Sequence, residues 1–257
     1  MNCPSRFVLL LLVLTFAARA VVGEENSSSV EMGGFVTLKQ SDGSEFRAFA
    51  AGPADGKAAV LIVHDYFGIS DATKESVKHL GALGYRSVAV DLYGGKSATS
   101  HEEAMKLMQS LDRKATDKIL QVGLDYLKQS GRKVATIGFS MGGQESLSAN
   151  LNDPEAVSAT VIIYGSGFDK IDTKRLERLK GPVLAIAGSE DTDAVQAAIK
   201  FLSNMKAAKR PYEMLLYPGA DHGYAQPLFN EGKNYNPAAV HTTWLLIDDF
   251  LDRVLKH

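Results

Sequence analysis

Residues 134–143 read Val-Ala-Thr-Ile-Gly-Phe-Ser-Met-Gly-Gly. The first six are a short apolar run, the pattern of a strand buried on both faces. Gly138-x-Ser140-x-Gly142 follows at once, and a helical stretch is expected over 144–151. A G-x-S-x-G between a strand and a helix forms a sharp turn that needs small residues where strand and helix approach. The turn lifts the serine hydroxyl beyond the sheet edge, beside a helix N-terminus. The motif alone is common by chance; its strand and helix context is what selects a nucleophile.

Outward from that turn, apolar runs alternate with helical spacing. Strands are expected at 58–63, 87–90, 159–164, 183–187 and 212–217. Helices are expected at 71–83, 101–111, 115–129, 194–208 and 238–255. A hairpin is expected upstream, with strands 35–39 and 45–51 joined through Ser41-Asp42-Gly43. Buried strands alternating with helices argue for an α/β fold with a mostly parallel central sheet and helices on both faces. No internal repeat or linker divides 34–257, which reads as one domain. The polar loop 230–236 is expected to border a site.

The chain has 257 residues, 45% hydrophobic and 23% charged, with a net charge of -2. That composition excludes a collagen-like, mainly disordered or multi-span membrane chain, and no basic excess points to nucleic acid. Phe7 to Ala18 is almost wholly apolar. Twelve helical residues would cover only ~18 Å of a hydrocarbon core of ~30 Å, too short for a stable membrane span. With Ala18-x-Ala20 after it, the segment reads as a signal peptide cut after Ala20, a cut after Gly23 being the alternative. Residues 21–33 are then a flexible leader, and Asn26-Ser27-Ser28 fits a glycosylation sequon. The expected location is secreted or periplasmic. Cleavage would remove Arg6 and Arg19, shifting the charge from -2 to -4, and also Cys3, the only cysteine.

A serine hydroxyl needs a base. Of six histidines, His222 lies in a loop just after the apolar run 212–217. His79 and His101 fall on expected helices and His257 at the terminus, so all three read as surface residues; His241 reads as a packing residue. The base needs an acid to set its tautomer. Asp191 is placed best, in the turn after 183–187, with Glu190 and Asp193 as nearby alternatives. The order Ser140, Asp191, His222 suits the α/β-hydrolase arrangement rather than the serine-protease orders. The oxyanion donors are expected to be the backbone N–H groups of Met141 and Tyr66, with Tyr66 and Phe67 walling the acyl pocket. His64 is a supporting residue at the strand end.

At this point the sequence resembles the dienelactone hydrolase family of α/β-hydrolases. The resemblance rests on HDYFG (64–68), AVDLYGG (89–95), GFSMGG (138–143), GSED (188–191) and YPGADHGY (217–224). It implies a Cys or Ser nucleophile with Asp and His, falling here on Ser140, Asp191 and His222, and it supports Met141 and Tyr66 as oxyanion donors. The chain departs from the family's namesakes in three ways. Ser140 stands for their cysteine, and Asp65 for a glutamate. Lys96 and Gln226 stand near the positions of arginines that hold a substrate carboxylate, and Lys96 cannot reproduce a bidentate fork. Asp65, Lys96, Tyr224 and Gln226 are therefore candidates for the substrate pocket. The expected activity is hydrolysis of a small ester or lactone, with no metal or organic cofactor. A peptidase or a non-catalytic binding protein on the same scaffold are the alternatives.

Overall fold

The computed structural model describes residues 21–22, 32–40 and 42–256. The expected signal peptide, Asn26, Ser41 and His257 lie outside the described residues. The strands are β1 (Val21–Val22), β2 (Gly34–Lys39), β3 (Glu45–Ala51), β4 (Ala58–Val63), β5 (Arg86–Val90), β6 (Lys133–Phe139), β7 (Val157–Ile163), β8 (Val183–Gly188) and β9 (Tyr212–Tyr217). The helices are α1 (Asp71–Ala82), α2 (His101–Gln109), α3 (Arg113–Leu127), α4 (Met141–Asn152), the single turn α5 (Thr173–Leu176), α6 (Thr192–Ala207) and α7 (Pro237–Leu255).

The sheet order is β1-β2-β3-β5-β4-β6-β7-β8-β9. The first two pairings are antiparallel, and so is β3 with β5; from β5 onward every pairing is parallel. Parallel strands covered by helices on both faces lose all contact with water, and β4, β5 and β8 are buried at every position. Two apolar layers result. One packs β-strand residues such as Ile62, Ile137 and Ile186 against α1 and α7; the other packs Leu61, Val63 and Val90 against α3. A third cluster fills the space between β8, α4 and α6.

Register places the strand ends together. Val63 lies opposite Gly138, Phe139 opposite Ile163, Ile163 opposite Ile186 and Gly188 opposite Tyr217. The loops leaving β4, β6, β7, β8 and β9 therefore emerge on one edge, the carboxyl end of a parallel sheet, where α/β folds build their sites. Helix α4 begins at Met141, three residues earlier than the helical pattern suggests. The turn sets its start rather than propensity, since Met141-Gly142-Gly143 is a weak helix opener. Among the described residues, no helix is long and apolar enough to cross a membrane.

Candidate active site

Ser140 sits at φ 52°. This conformation costs a non-glycine residue ~1–3 kcal/mol and survives only where the surroundings enforce it. They do so here. Ser140 N–H donates to Ile163 O at 2.9 Å, and Gly143 N–H donates to Ser140 O at 2.9 Å. A Cβ on Gly138 would collide with the Gly142 carbonyl, and one on Gly142 with the carbonyls of Val63 and His64.

The hydroxyl so presented meets His222. Ser140 Oγ lies 2.9 Å from His222 Nε2, and His222 Nδ1 lies 2.6 Å from Asp191 Oδ2. A carboxylate only accepts, so Nδ1 carries the ring proton and Nε2 is left to accept from the serine. Asp191 is buried and caps α6, its Oδ1 accepting from Ala194 N–H at 3.0 Å. Glu190 and Asp193 are exposed, and Glu190 accepts instead from Ser189 Oγ.

The loop after β4 is tied at nearly every polar group. The His64 ring is fully buried, and Asp65 O accepts from its Nδ1 at 2.6 Å. Its Nε2 accepts from Leu92 N–H at 3.2 Å. This fixes a neutral tautomer, and burial pushes the imidazole pKa down. Tyr66 O accepts from Tyr93 OH at 3.2 Å, and Phe67 N–H donates to Asp65 Oδ1 at 2.9 Å. No group among the described residues accepts from Tyr66 N–H. Because the Asp65 carbonyl points at His64, the N–H of the same planar peptide points the opposite way. Met141 N–H, at the first turn of α4, has no intrahelical acceptor.

Asp65 is buried between this loop and Gln226, whose Nε2 donates to Asp65 Oδ2 at 2.7 Å and to Ser70 Oγ at 3.2 Å. Burial raises its carboxyl to a pKa of about 6, against the opposing pull of Gln226, Phe67 N–H and His222.

Several expectations for the pocket change. Phe67 is fully buried with Ala98 and Ala104 beneath Tyr66, so it supports the loop and walls no acyl pocket. Tyr224 is also fully buried, its hydroxyl bonded to Thr243 Oγ1 at 2.6 Å. Lys96 is exposed and borders a separate depression with Leu107 and Leu111. The Gly68–Ser97 bridge and the bond from Ala98 N–H to Phe67 O bind its segment by the backbone, which leaves the side chain at the surface. His241 is exposed rather than packed. His79 is half-buried and bonded to Asp248 at 3.0 Å, and His101 Nδ1 lies 3.0 Å from Tyr66 OH.

Two residues near His222 escaped sequence reasoning. The Tyr164 ring lies 5.4 Å from the His222 ring and the Phe229 ring 5.2 Å from it. Tyr164 is fully buried at φ 37°, a rare conformation for a bulky residue, and burial drives its hydroxyl pKa well up. The polar loop does border the site, for Asn234 Nδ2 donates to His222 O at 2.8 Å. Among the described residues, no group of three or more His, Cys, Asp or Glu side chains is placed to hold a metal.

The sheet order, the elbow at Ser140 and the loops on one edge define an α/β-hydrolase. The dienelactone hydrolase family model matches residues 46–255, and the chain belongs to that family. It is therefore a hydrolase of the ester and lactone type. It is 26% identical to a carboxymethylenebutenolidase of Pseudomonas putida over 204 residues, covering 74% of this chain and 85% of that one. Among solved structures, it resembles a dienelactone hydrolase-like promiscuous phosphotriesterase from metagenomic libraries, with a TM-score of 0.74 at 20% identity. That match covers 86% of this chain and 98% of the other. A dienelactone hydrolase from Anabaena variabilis gives a TM-score of 0.64 at 21% identity, covering 93% and 98%.

Proposed function

We propose that this protein is an exported serine hydrolase that cleaves carboxylic esters or lactones through an acyl-enzyme on Ser140. His222 Nε2 takes the hydroxyl proton as Ser140 Oγ bonds to the substrate carbonyl carbon. The carbonyl oxygen becomes an oxyanion, which the N–H groups of Met141 and Tyr66 receive. Collapse breaks the ester bond, and the leaving alcohol takes the proton from His222. A water then repeats the sequence: His222 accepts its proton, the hydroxide attacks the acyl carbon, and the acid departs as the proton returns to Ser140. Asp191 stays ionised throughout and stabilises the imidazolium.

The observation that carries this reading is the chain of contacts Ser140 Oγ to His222 Nε2 at 2.9 Å and His222 Nδ1 to Asp191 Oδ2 at 2.6 Å. The test compares short p-nitrophenyl esters with the wild type and Ser140→Ala, together with labelling by a fluorophosphonate probe. Ser140→Ala is expected to lose turnover and labelling together. Equal hydrolysis by both proteins overturns the nucleophile, and an inert, unlabelled wild type favours a binding protein. Export rests on the apolar segment 7–18 and the small residues at 18 and 20; N-terminal sequencing of the extracytoplasmic fraction should find Val21 first.

A further inference from the structure

A cavity of about 430 Å3 lies between α1 and α7, behind the groups just described. Its apolar wall is Phe139, Tyr164, Val240 and Trp244. Trp244 packs its ring 6.4 Å from Phe139 and 4.7 Å from His79, and Phe139 directly precedes Ser140. Asp65 and Gln226 also line it, bonded to each other at 2.7 Å. Asp71 and Glu75 border it from α1. Their cationic partners are Lys74 and Lys78, at 2.8 and 2.9 Å, and neither lines the cavity. His79, the only basic side chain on its wall, is already bonded to Asp248. Aromatic walls with no available cation favour a flat, uncharged group and penalise a carboxylate, which would be desolvated without a partner and beside like charge.

We propose that this cavity binds the uncharged aryl or alkyl arm of the substrate, on either side of its ester bond, and selects against carboxylate-bearing substrates. The word substrate rests on the ester-hydrolase reading above; occupancy of the cavity by an uncharged aromatic does not. A cavity of this volume suits a ligand about the size of a small aromatic ester. Tyr164 links the two places, since its ring lies 5.4 Å from the His222 ring and also lines the cavity.

Trp244 is the chain's single tryptophan, so its fluorescence reads the cavity directly. In Ser140→Ala, benzyl alcohol should change the emission saturably, with benzoate at least tenfold weaker. No response to benzyl alcohol, or equal responses to the two, overturns the proposal even if ester turnover is sound. In the active enzyme two ratios of kcat/KM are read: 4-nitrophenyl phenylacetate over 4-nitrophenyl acetate, and benzyl acetate over methyl acetate. Filling the cavity by Ala72→Phe, or by Val240→Phe should the first misfold, is expected to lower at least one ratio tenfold or more. Both ratios unchanged in a folded variant overturn the proposal. An enzyme that cleaves no ester but binds benzyl alcohol refutes the hydrolase reading alone and leaves the cavity's selectivity supported.

Discussion

Replacing Asp191 by asparagine should separate the two bonds that this carboxylate makes. Oδ1 accepts from Ala194 N–H at 3.0 Å and Oδ2 from His222 Nδ1 at 2.6 Å, and asparagine offers only one acceptor. If its oxygen stays on the helix cap, its NH2 faces His222 Nδ1. The ring proton must then move to Nε2, where it faces Ser140 and disables the base. If the oxygen turns to His222, the NH2 opposes Ala194 N–H. That loses a cap of ~1 kcal/mol and leaves a buried donor unpaired at a further ~1–3 kcal/mol. The competent tautomer is therefore disfavoured by ~2–4 kcal/mol, a factor of about 30 to 700 in population. Loss of the negative charge beside the imidazolium adds about a further order of magnitude, so kcat should fall about 300- to 7000-fold, close to the effect of the same substitution in the Ser-His-Asp template. Because the cap survives, the melting temperature should stay within about 2–4 °C of the wild type. Steady-state ester hydrolysis and a thermal melt on the same preparation suffice. A variant keeping more than a tenth of the wild-type kcat refutes the role of Asp191 as orienter.

Other positions give separate tests. Gly142→Ala forces a methyl group into the backbone carbonyls of Val63 and His64, which cannot move without disturbing the sheet. It should cost about 3 kcal/mol or more, lowering the thermal midpoint by about 6–12 °C; a melt unchanged within 2 °C counts against the packing argument. His64→Ala removes the shorter of the two bonds to the Asp65 carbonyl, leaving only Gly68 N–H at 3.2 Å, and so loosens the Asp65–Tyr66 peptide. It should lower kcat about 10- to 100-fold while KM moves less than about threefold, since the oxyanion donor acts only in the transition state; a KM-only effect would contradict this. Asp65 has a folded pKa of about 6 against 3.8 for an unperturbed carboxyl. The folded state thus holds the proton more tightly, so stability falls as pH rises from about 4 to about 6 and levels above that. Denaturant titrations should show that trend in the wild type minus Asp65→Asn, and an opposite slope would refute it.

Much of the architecture was legible because burial writes itself into composition. The runs 58–63 and 183–187 are continuously apolar, as strands covered on both faces must be, and the structure places strands there. Ser140, Asp191 and His222 each follow an expected strand, and those strand ends together with the G-x-S-x-G motif and the chain order pointed to them. What failed to show was contact between distant segments. The Asp65–Gln226 bond spans 161 residues, and nothing local announces that Gln226 would hold a buried carboxylate. Tyr164 was hidden because a positive φ leaves no mark on a tyrosine, and Phe229 because an aromatic in a polar loop looks incidental. Phe67 and Tyr224 misled for the opposite reason: both flank motif residues, but their rings point into packed interior.

The hydroxyl of Ser140 and its base are 82 residues apart, and base and acid 31 apart. Each belongs to a different crossover of the sheet, and His222 leaves β9, the strand at the far edge. Parallel pairings form only after long loops close, so they are slow steps in folding. The strained turn at Ser140 packs against the ends of β4 and β7, but its hydroxyl cannot meet His222 until β9 has docked. A chain still missing its final forty residues lacks both His222 and α7, so the Ser140 hydroxyl has no imidazole to meet until the last segment of the chain is in place.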